Sequence, residues 1–251
     1  MLNFKSIKTR LILYLACFAV FLSIEQYNVM LLAAVFIAVI TSMAVESALL
    51  YFKTKSFQIS ESSIITGLIV GFVFSNGQAW QVLILASALG ILSKYLIRFQ
   101  NRHIFNPAAL GIFLAIIILG AFTEWEGTYY WFIVLPFGIY FAKKAGKMEI
   151  LAGYTAVFLA LFGTQAFLQK TPVWHIFGYV NYFFVFVMVI EPMTTPVRPL
   201  GKFLFGAGVS ALIFILTERG VNFDAELFSL LAMNIAVPLI NKITHKEGGR
   251  V

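Results

Sequence analysis

A single cysteine, Cys17, occurs in the 251 residues, and it lies inside an apolar run. An intrachain disulfide and a cysteine-built metal site are therefore excluded. Histidine is nearly as scarce. His103, His175 and His245 each fall near the end of an apolar segment, an arrangement that argues against a bis-histidine haem pair within a membrane. Charge is scarce too: charged residues make up 12% of the chain, whereas soluble domains carry about a quarter. Hydrophobic residues make up 61% and the mean hydropathy is +0.91. A soluble fold of this size has too little interior to hide that much apolar surface, so lipid must cover it. The first apolar run lacks a small-residue cleavage site and begins a series of similar runs, so it reads as a retained helix.

About ten apolar segments follow one another, near 10–24, 28–50, 62–75, 79–97, 106–122, 129–142, 149–168, 177–191, 201–217 and 225–243. Several are shorter than the roughly 20 residues of a straight span, so tilted, broken or partly buried helices are expected. The loops check the count. With a cytoplasmic N-terminus, sixteen of the eighteen basic residues, from Lys5 to Arg250, fall inside, and only Lys170 and Arg219 fall outside. Glu25, Glu124, Glu126, Glu218, Asp224 and Glu226 fall on the outer side. This skew follows the positive-inside rule and places both termini in the cytoplasm of a cell that carries the protein in its inner membrane. The net charge of +7 is thus a topology signal, and nucleic acid is not an expected partner.

The expected fold is an all-α polytopic membrane protein, one integral domain over 1–251. Ten segments with both ends inside divide into halves near 10–122 and 129–243, and five segments per half make the halves inverted. Inverted repeats place their functional centre where discontinuous helices meet. Irregularities fall at matching positions. The short third segment carries Thr66, Gly67 and Gly71, and the short eighth ends in Glu191-Pro192-Met193-Thr194-Thr195-Pro196. The fifth opens with Asn106-Pro107, and the tenth carries Asn234 four residues before Pro238.

Asn106 stands where an N-cap side chain would accept a bond from a first-turn amide, and Pro107 follows at the first helical position, where its missing N–H costs nothing. Three carboxylates lie in or at the edge of apolar segments: Glu46 in the second, Glu61 opening the third and Glu191 closing the eighth. An ionised carboxylate at membrane depth costs about 2.5–3.5 kcal/mol on insertion scales, which makes these three the candidates for ion or proton coupling. Glu61 and Glu191 also suit boundary positions in contact with headgroup water. The 27 phenylalanines are expected to be overwhelmingly lipid-facing packing, and Trp80, Trp125, Trp131 and Trp174 fall at outer boundaries as an aromatic belt does.

Four pieces in order carry a family resemblance: Ile65-Thr66-Gly67-Leu68, Phe105-Asn106-Pro107-Ala108-Ala109-Leu110-Gly111, Glu191-Pro192-Met193-Thr194-Thr195-Pro196, and Leu231-Ala232-Met233-Asn234 to Pro238-Leu239-Ile240. From about residue 60 to the C-terminus the chain resembles the NqrB/RnfD family. These are membrane subunits of the sodium-pumping NADH:quinone oxidoreductase and of the Rnf electron transport complex. The resemblance implies a ten-helix inverted repeat that binds flavin, FMN or riboflavin, and couples electron transfer to Na+ or H+ movement. Its partners would be other subunits of a membrane redox complex or a flavin/NAD reductase, and the lipid bilayer, with quinone as a candidate acceptor.

Two departures qualify what is carried over. The family's covalent FMN acceptor motif, Asp-x-x-Ser-Gly-Ala-Thr in type, is absent from the loop Thr123-Glu124-Trp125-Glu126-Gly127-Thr128-Tyr129. Flavin is therefore expected to be non-covalent. The family's Thr-Asp-Pro is here Ile190-Glu191-Pro192, with the carboxylate one methylene further out. On this reading Asn106 and Pro107, with the hydroxyls of Thr66, Thr194 and Thr195, face the flavin, and Glu46, Glu61 and Glu191 handle cation or proton charge. Asn106 and Glu191 are expected to line one site at the repeat interface. A channel or transporter for a small polar solute suits the same architecture, because fold alone does not decide function. An assembly component without a cofactor is a third reading.

Overall fold

A computed structural model describes residues 6–74, 77–99, 102–191 and 194–246, with residue 246 described by its backbone only. The chain forms two compact units, Met1–Gly127 and Thr128–Val251. Among the described residues, five helices are long and apolar enough to cross a membrane: Ile7–Glu25, Val29–Thr54, Met148–Leu168, Pro199–Glu218 and Ala225–His245. This is a multi-pass membrane protein.

Unit 1 contains α1 (Ile7–Glu25), α2 (Val29–Thr54), α3 (Glu61–Val73), α4 (Trp80–Leu96) and α5 (Pro107–Leu119). Side chains set the starts: Ser6 caps α1, Asn28 caps α2 and Ser60 caps α3, each accepting a bond from a free first-turn amide. The 13-residue helices α3 and α5 reach about 20 Å, short of the roughly 30 Å hydrocarbon layer. Protein covers the inner part of α3, where every residue from Leu68 to Phe74 is buried. Two glycines bring α3 that close to α2. A Cβ on Gly67 would meet the backbone of Ala38 and Val39, and one on Gly71 would meet Val35. Where α3 stops, its last carbonyls are taken up by a later loop: Glu126 N–H donates to Phe72 O at 3.1 Å and Glu124 N–H to Val73 O at 3.0 Å. Broken helices survive at membrane depth only when their freed backbone groups find such partners.

A two-residue-per-strand hairpin, β1 (Arg98–Phe99) with β2 (Arg102–His103), links α4 to α5, pairing Arg98 with His103 and Phe99 with Arg102. Asn106 then caps α5 as the sequence predicts, accepting from Ala109 N–H at 3.0 Å with Pro107 next in line. Helices α4 and α5 interlock through glycine. A Cβ on Gly111 would meet Ala86 O, and one on Gly90 would meet Pro107 O.

Unit 2 contains α6 (Trp131–Ala145), α7 (Met148–Leu168), α8 (Pro199–Glu218) and α9 (Ala225–Lys246). Helices α7 and α8 meet through a reciprocal glycine pair: a Cβ on Gly153 would strike Phe203 O and one on Gly206 would strike Ile150 O. The eighth apolar segment departs from the expected ten helices. It folds as a 3-10 run, Val173–Tyr179, and a single π-helical stretch, Phe184–Met188, in place of an α-helix. The sequence explains this: Phe183, Phe184, Val185, Phe186, Val187 and Val189 are aromatic or β-branched, the types that lose most side-chain freedom in a helix. The segment closes on Glu191, and Pro192 and Met193 of the predicted motif lie outside the described residues, as do Lys5 and Arg250. Phe72 and Phe74 in unit 1 and Phe183, Phe184 and Phe205 in unit 2 are buried, which corrects the expectation of overwhelmingly lipid-facing phenylalanine.

The predicted match of Asn106 with Asn234 is revised by where the caps fall. Asn106 precedes α5, whereas Asn234 lies well inside α9. The corresponding position at the start of α9 is Asp224, whose Oδ1 accepts from Leu227 N–H at 2.9 Å, the same three-residue reach as Asn106 to Ala109.

Candidate functional site

One end of unit 1 gathers its membrane-embedded charge. Glu46 of α2 is 1% exposed and accepts bonds from three side chains: Lys94 Nζ and Tyr95 Oη of α4 at one oxygen, and Ser60 Oγ at the other. The Tyr95 bond is 2.9 Å. Beside it Glu61 accepts from Thr9 Oγ1 and, at 3.1 Å, from Ser6 Oγ of the α1 cap. A carboxylate at the depth of Glu46 is tolerable because an ammonium and two hydroxyls replace its water. His103, on the hairpin, lies close enough to Lys94, Arg98 and Lys8 to feel their charge. Burial first, then those three cations, push its imidazole down to about 4, so it is neutral at physiological pH. Its Nε2 is buried without a hydrogen-bond partner among the described residues.

Two of the predicted flavin contacts meet nearby. Thr66 Cγ2 and Pro107 O both border the space that a Cβ on Gly90 would enter. Both surroundings are tightly held, however. Thr66 is 4% exposed and donates its hydroxyl to Ser62 O at 3.0 Å, while Asn106, next to Pro107, is 1% exposed and is capping α5.

In unit 2 the non-helical link 194–198, between the eighth segment and α8, is held from three sides. Lys147, at the turn between α6 and α7, donates from Nζ to Thr195 Oγ1. Asn234 Nδ2 of α9 donates to Thr194 O at 3.1 Å, and Val197 N–H donates to Asn241 Oδ1 at 3.1 Å. Lys147 is 6% exposed, with Thr194 and Thr195 similarly buried. Burial, reinforced by Lys202, lowers the Lys147 amine to about 8, against the opposing pull of Glu149 and Glu191. Lys202 itself holds Gly146 O at 2.6 Å and reaches Glu149 at 3.9 Å. The predicted residues Thr195 and Glu191 are therefore brought to a lysine that the sequence marks only as an inner-loop charge, while Thr194 is held by Asn234.

The opposite end of unit 2 carries a second network that sequence reasoning misses. Thr128 Oγ1 donates to Asn181 Oδ1 at 2.6 Å, and Asn181 Nδ2 donates to Glu226 Oε2 at 2.6 Å. Asn181 also caps the π-helical stretch through Phe184 N–H at 2.9 Å. Glu226 and Asp224 border a half-open pocket of about 300 Å³ that Phe162, Tyr179, Ile213 and Thr217 also line. Asn181 gives no signal in the sequence, because its partners lie 53 and 45 positions away.

Asn106 belongs to unit 1 and Glu191 to unit 2, and each is placed by its own unit's helices.

The family match falls on the second of these units. Residues 126–248 match the NQR2, RnfD, RnfE family. The RnfD protein of the ion-translocating oxidoreductase complex of Actinobacillus succinogenes is 31% identical over 155 residues, covering 57% of this chain and 39% of that protein. Its counterparts in Mannheimia succiniciproducens and Marinobacter nauticus are each 33% identical, over 76 and 97 residues, covering 30% and 39% of this chain and 22% and 27% of those proteins. The chain thus spans less than half the length of these relatives. Over residues 126–248, which hold both the Lys147–Thr195 cluster and the Asn181–Glu226 network, the chain belongs to the NQR2, RnfD, RnfE family.

Proposed function

We propose that this protein is a subunit of a membrane electron transport complex that couples electron transfer to the movement of Na+ or H+. The observation that carries the reading is the family match over 126–248, joined to relatives named as RnfD proteins of an ion-translocating oxidoreductase complex. The polar clusters support the ion side of that reading. Buried charge is costly in a membrane and persists where it serves a pathway or a coupling step. Glu46 supplies it in unit 1, with half-buried Lys94 and Glu61 beside it, and Lys147 supplies it in unit 2, with half-buried Glu191 near it. The basic end of each unit faces the cytoplasm in this reading, in a cell's inner membrane.

A non-covalent flavin, FMN or riboflavin, is the electron carrier that the reading calls for. Tested against the structure, the five expected contacts fit it poorly. Thr66, Asn106, Pro107, Thr194 and Thr195 are all buried within their own units. The bonds of Thr66, Asn106 and Thr195 go to the chain itself, and Gly90 closes over Pro107 O. Asn106 and Pro107 start α5, Thr194 and Thr195 lie in the link before α8, and Thr66 bonds within α3, so in this reading the flavin is held elsewhere in the complex. A channel or transporter for a small polar solute is the second reading, favoured by the short helix α3 and the non-α stretch 173–188.

Inverted membrane vesicles distinguish the two. Vesicles energised with NADH should take up Na+ or H+, and deleting the gene should abolish that uptake until this chain is restored. Uptake that requires this chain but proceeds without any electron donor favours the transporter.

A further inference from the structure

The redox reading leaves open which group in unit 2 carries a proton, and the surroundings of Lys147 answer that. Its side chain is buried where a turn, a broken segment and two helices converge, and its amine lies on a hydroxyl of the very link that interrupts the helical order. The charged groups around it come from each neighbouring element: Lys202 from α8, Glu149 from α7, and Glu191 from the stretch before the link. Lys143 and Lys144, on its own side of the turn, are exposed. One cation and two carboxylates leave the amine close to balance, and Glu149, with a side chain 39% exposed, gives the proton a way to water.

We propose that Lys147 is the proton-exchanging residue of unit 2: on taking up a proton its side chain moves toward water and frees the 194–198 link, and on losing it the amine settles on Thr195 and fixes the link. Linkage sets the sign. Buried against Thr195 the amine titrates near 8, while in water it titrates near its ordinary 10.5. Between those values the settled state is the neutral one and the freed state the protonated one. Falling pH therefore favours the freed state, and rising pH favours the settled state. Across the full window the ratio of the two states changes by about 300-fold. As a neutral amine, Lys147 can still donate to Thr195 Oγ1 or accept from its hydroxyl, so the settled contact survives deprotonation. Glu191, three residues before Thr194, would then feel a link that moves with each proton bound.

This role rests on the proposed coupling for its purpose, but it stands on unit 2 alone, and its test uses no electron donor. Val197 is 65% exposed and lies on the link. A nitroxide on Val197→Cys, in a Cys17→Ser background and in lipid nanodiscs, reports the link's mobility from pH 7 to pH 10. The spectrum should pass from mobile to immobile as pH rises. Lys147→Gln, which keeps an amide donor for Thr195 without charge, should be immobile throughout, and Lys147→Arg should be mobile throughout. A spectrum that does not change with pH overturns the proposal, and so does a change that persists in Lys147→Gln. If the arginine variant does not fold, the glutamine variant decides alone. A flat label titration in membranes that still show NADH-driven ion uptake would leave the redox reading standing and remove this one.

Discussion

Glu46 shows what a residue's neighbours can and cannot tell in advance. An acid inside an apolar run is legible as an expensive group that needs a partner. The partners themselves are not legible, because Lys94 and Tyr95 lie 48 and 49 positions away and Ser60 reads as an ordinary helix cap. Removing one member of such a buried pair leaves the other uncompensated, so Glu46→Ala should destabilise the protein by about 3–5 kcal/mol. Glu46→Gln should cost less, since it retains acceptor oxygen for Tyr95 or Ser60. Thermal unfolding in detergent at neutral pH measures both. Asn106 is the opposite case, fully readable from its own stretch. Asn106→Leu should lose about 1 kcal/mol with the cap, and Asn106→Asp or Asn106→Ser should keep nearly all of it. If the aspartate and serine variants fold like the parent yet lose ion uptake, Asn106 does more than cap.

Helices are the elements most visible in the sequence, because unbroken apolar runs of the required length leave few alternatives. Nine of the ten segments are α-helical among the described residues, and the short third is a continuous 13-residue helix whose glycines pack against α2. The eighth, near 177–191, reads as short but not as a segment that abandons the α-helix. Its aromatic and β-branched content is visible in the sequence, whereas the Asn181 cap that fixes its geometry is a tertiary feature. Glycine pairing is likewise hidden: Gly67 and Gly71 stand out in a short segment, but nothing local marks Gly206 as the residue that lets α7 and α8 touch. Gly206→Ala should be destabilising by roughly 1–3 kcal/mol, because its Cβ would strike the backbone at Ile150 O. Gly163→Ala, also in a unit 2 helix but with nothing within 4 Å of the added carbon, should be stabilising by up to about 1 kcal/mol. Equal effects at the two positions would show that α7 and α8 do not pack as described.

At the scale of the whole molecule the charge pattern of the loops reappears inside each unit. In unit 1 Lys8, Lys94, Arg98 and His103 share one end with Glu46 and Glu61, while Gln26, Glu124 and Glu126 meet at the other. In unit 2 Lys147 and Lys202 meet at one end, while Glu226 with Asn181, and Glu218 with Gln165, lie toward the other. The positive-inside rule then makes a direct prediction: Lys144→Cys, in a Cys17→Ser background, should react with a membrane-impermeant thiol reagent in inverted vesicles and not in intact cells. Service in a redox-driven, ion-moving complex has its sharpest check in a visible absorption spectrum of whatever a tag on the chain draws from native membranes in mild detergent. Flavin bands that dithionite bleaches should appear, in a preparation that contains further membrane proteins of the complex. A colourless preparation of this chain alone would contradict the proposed role.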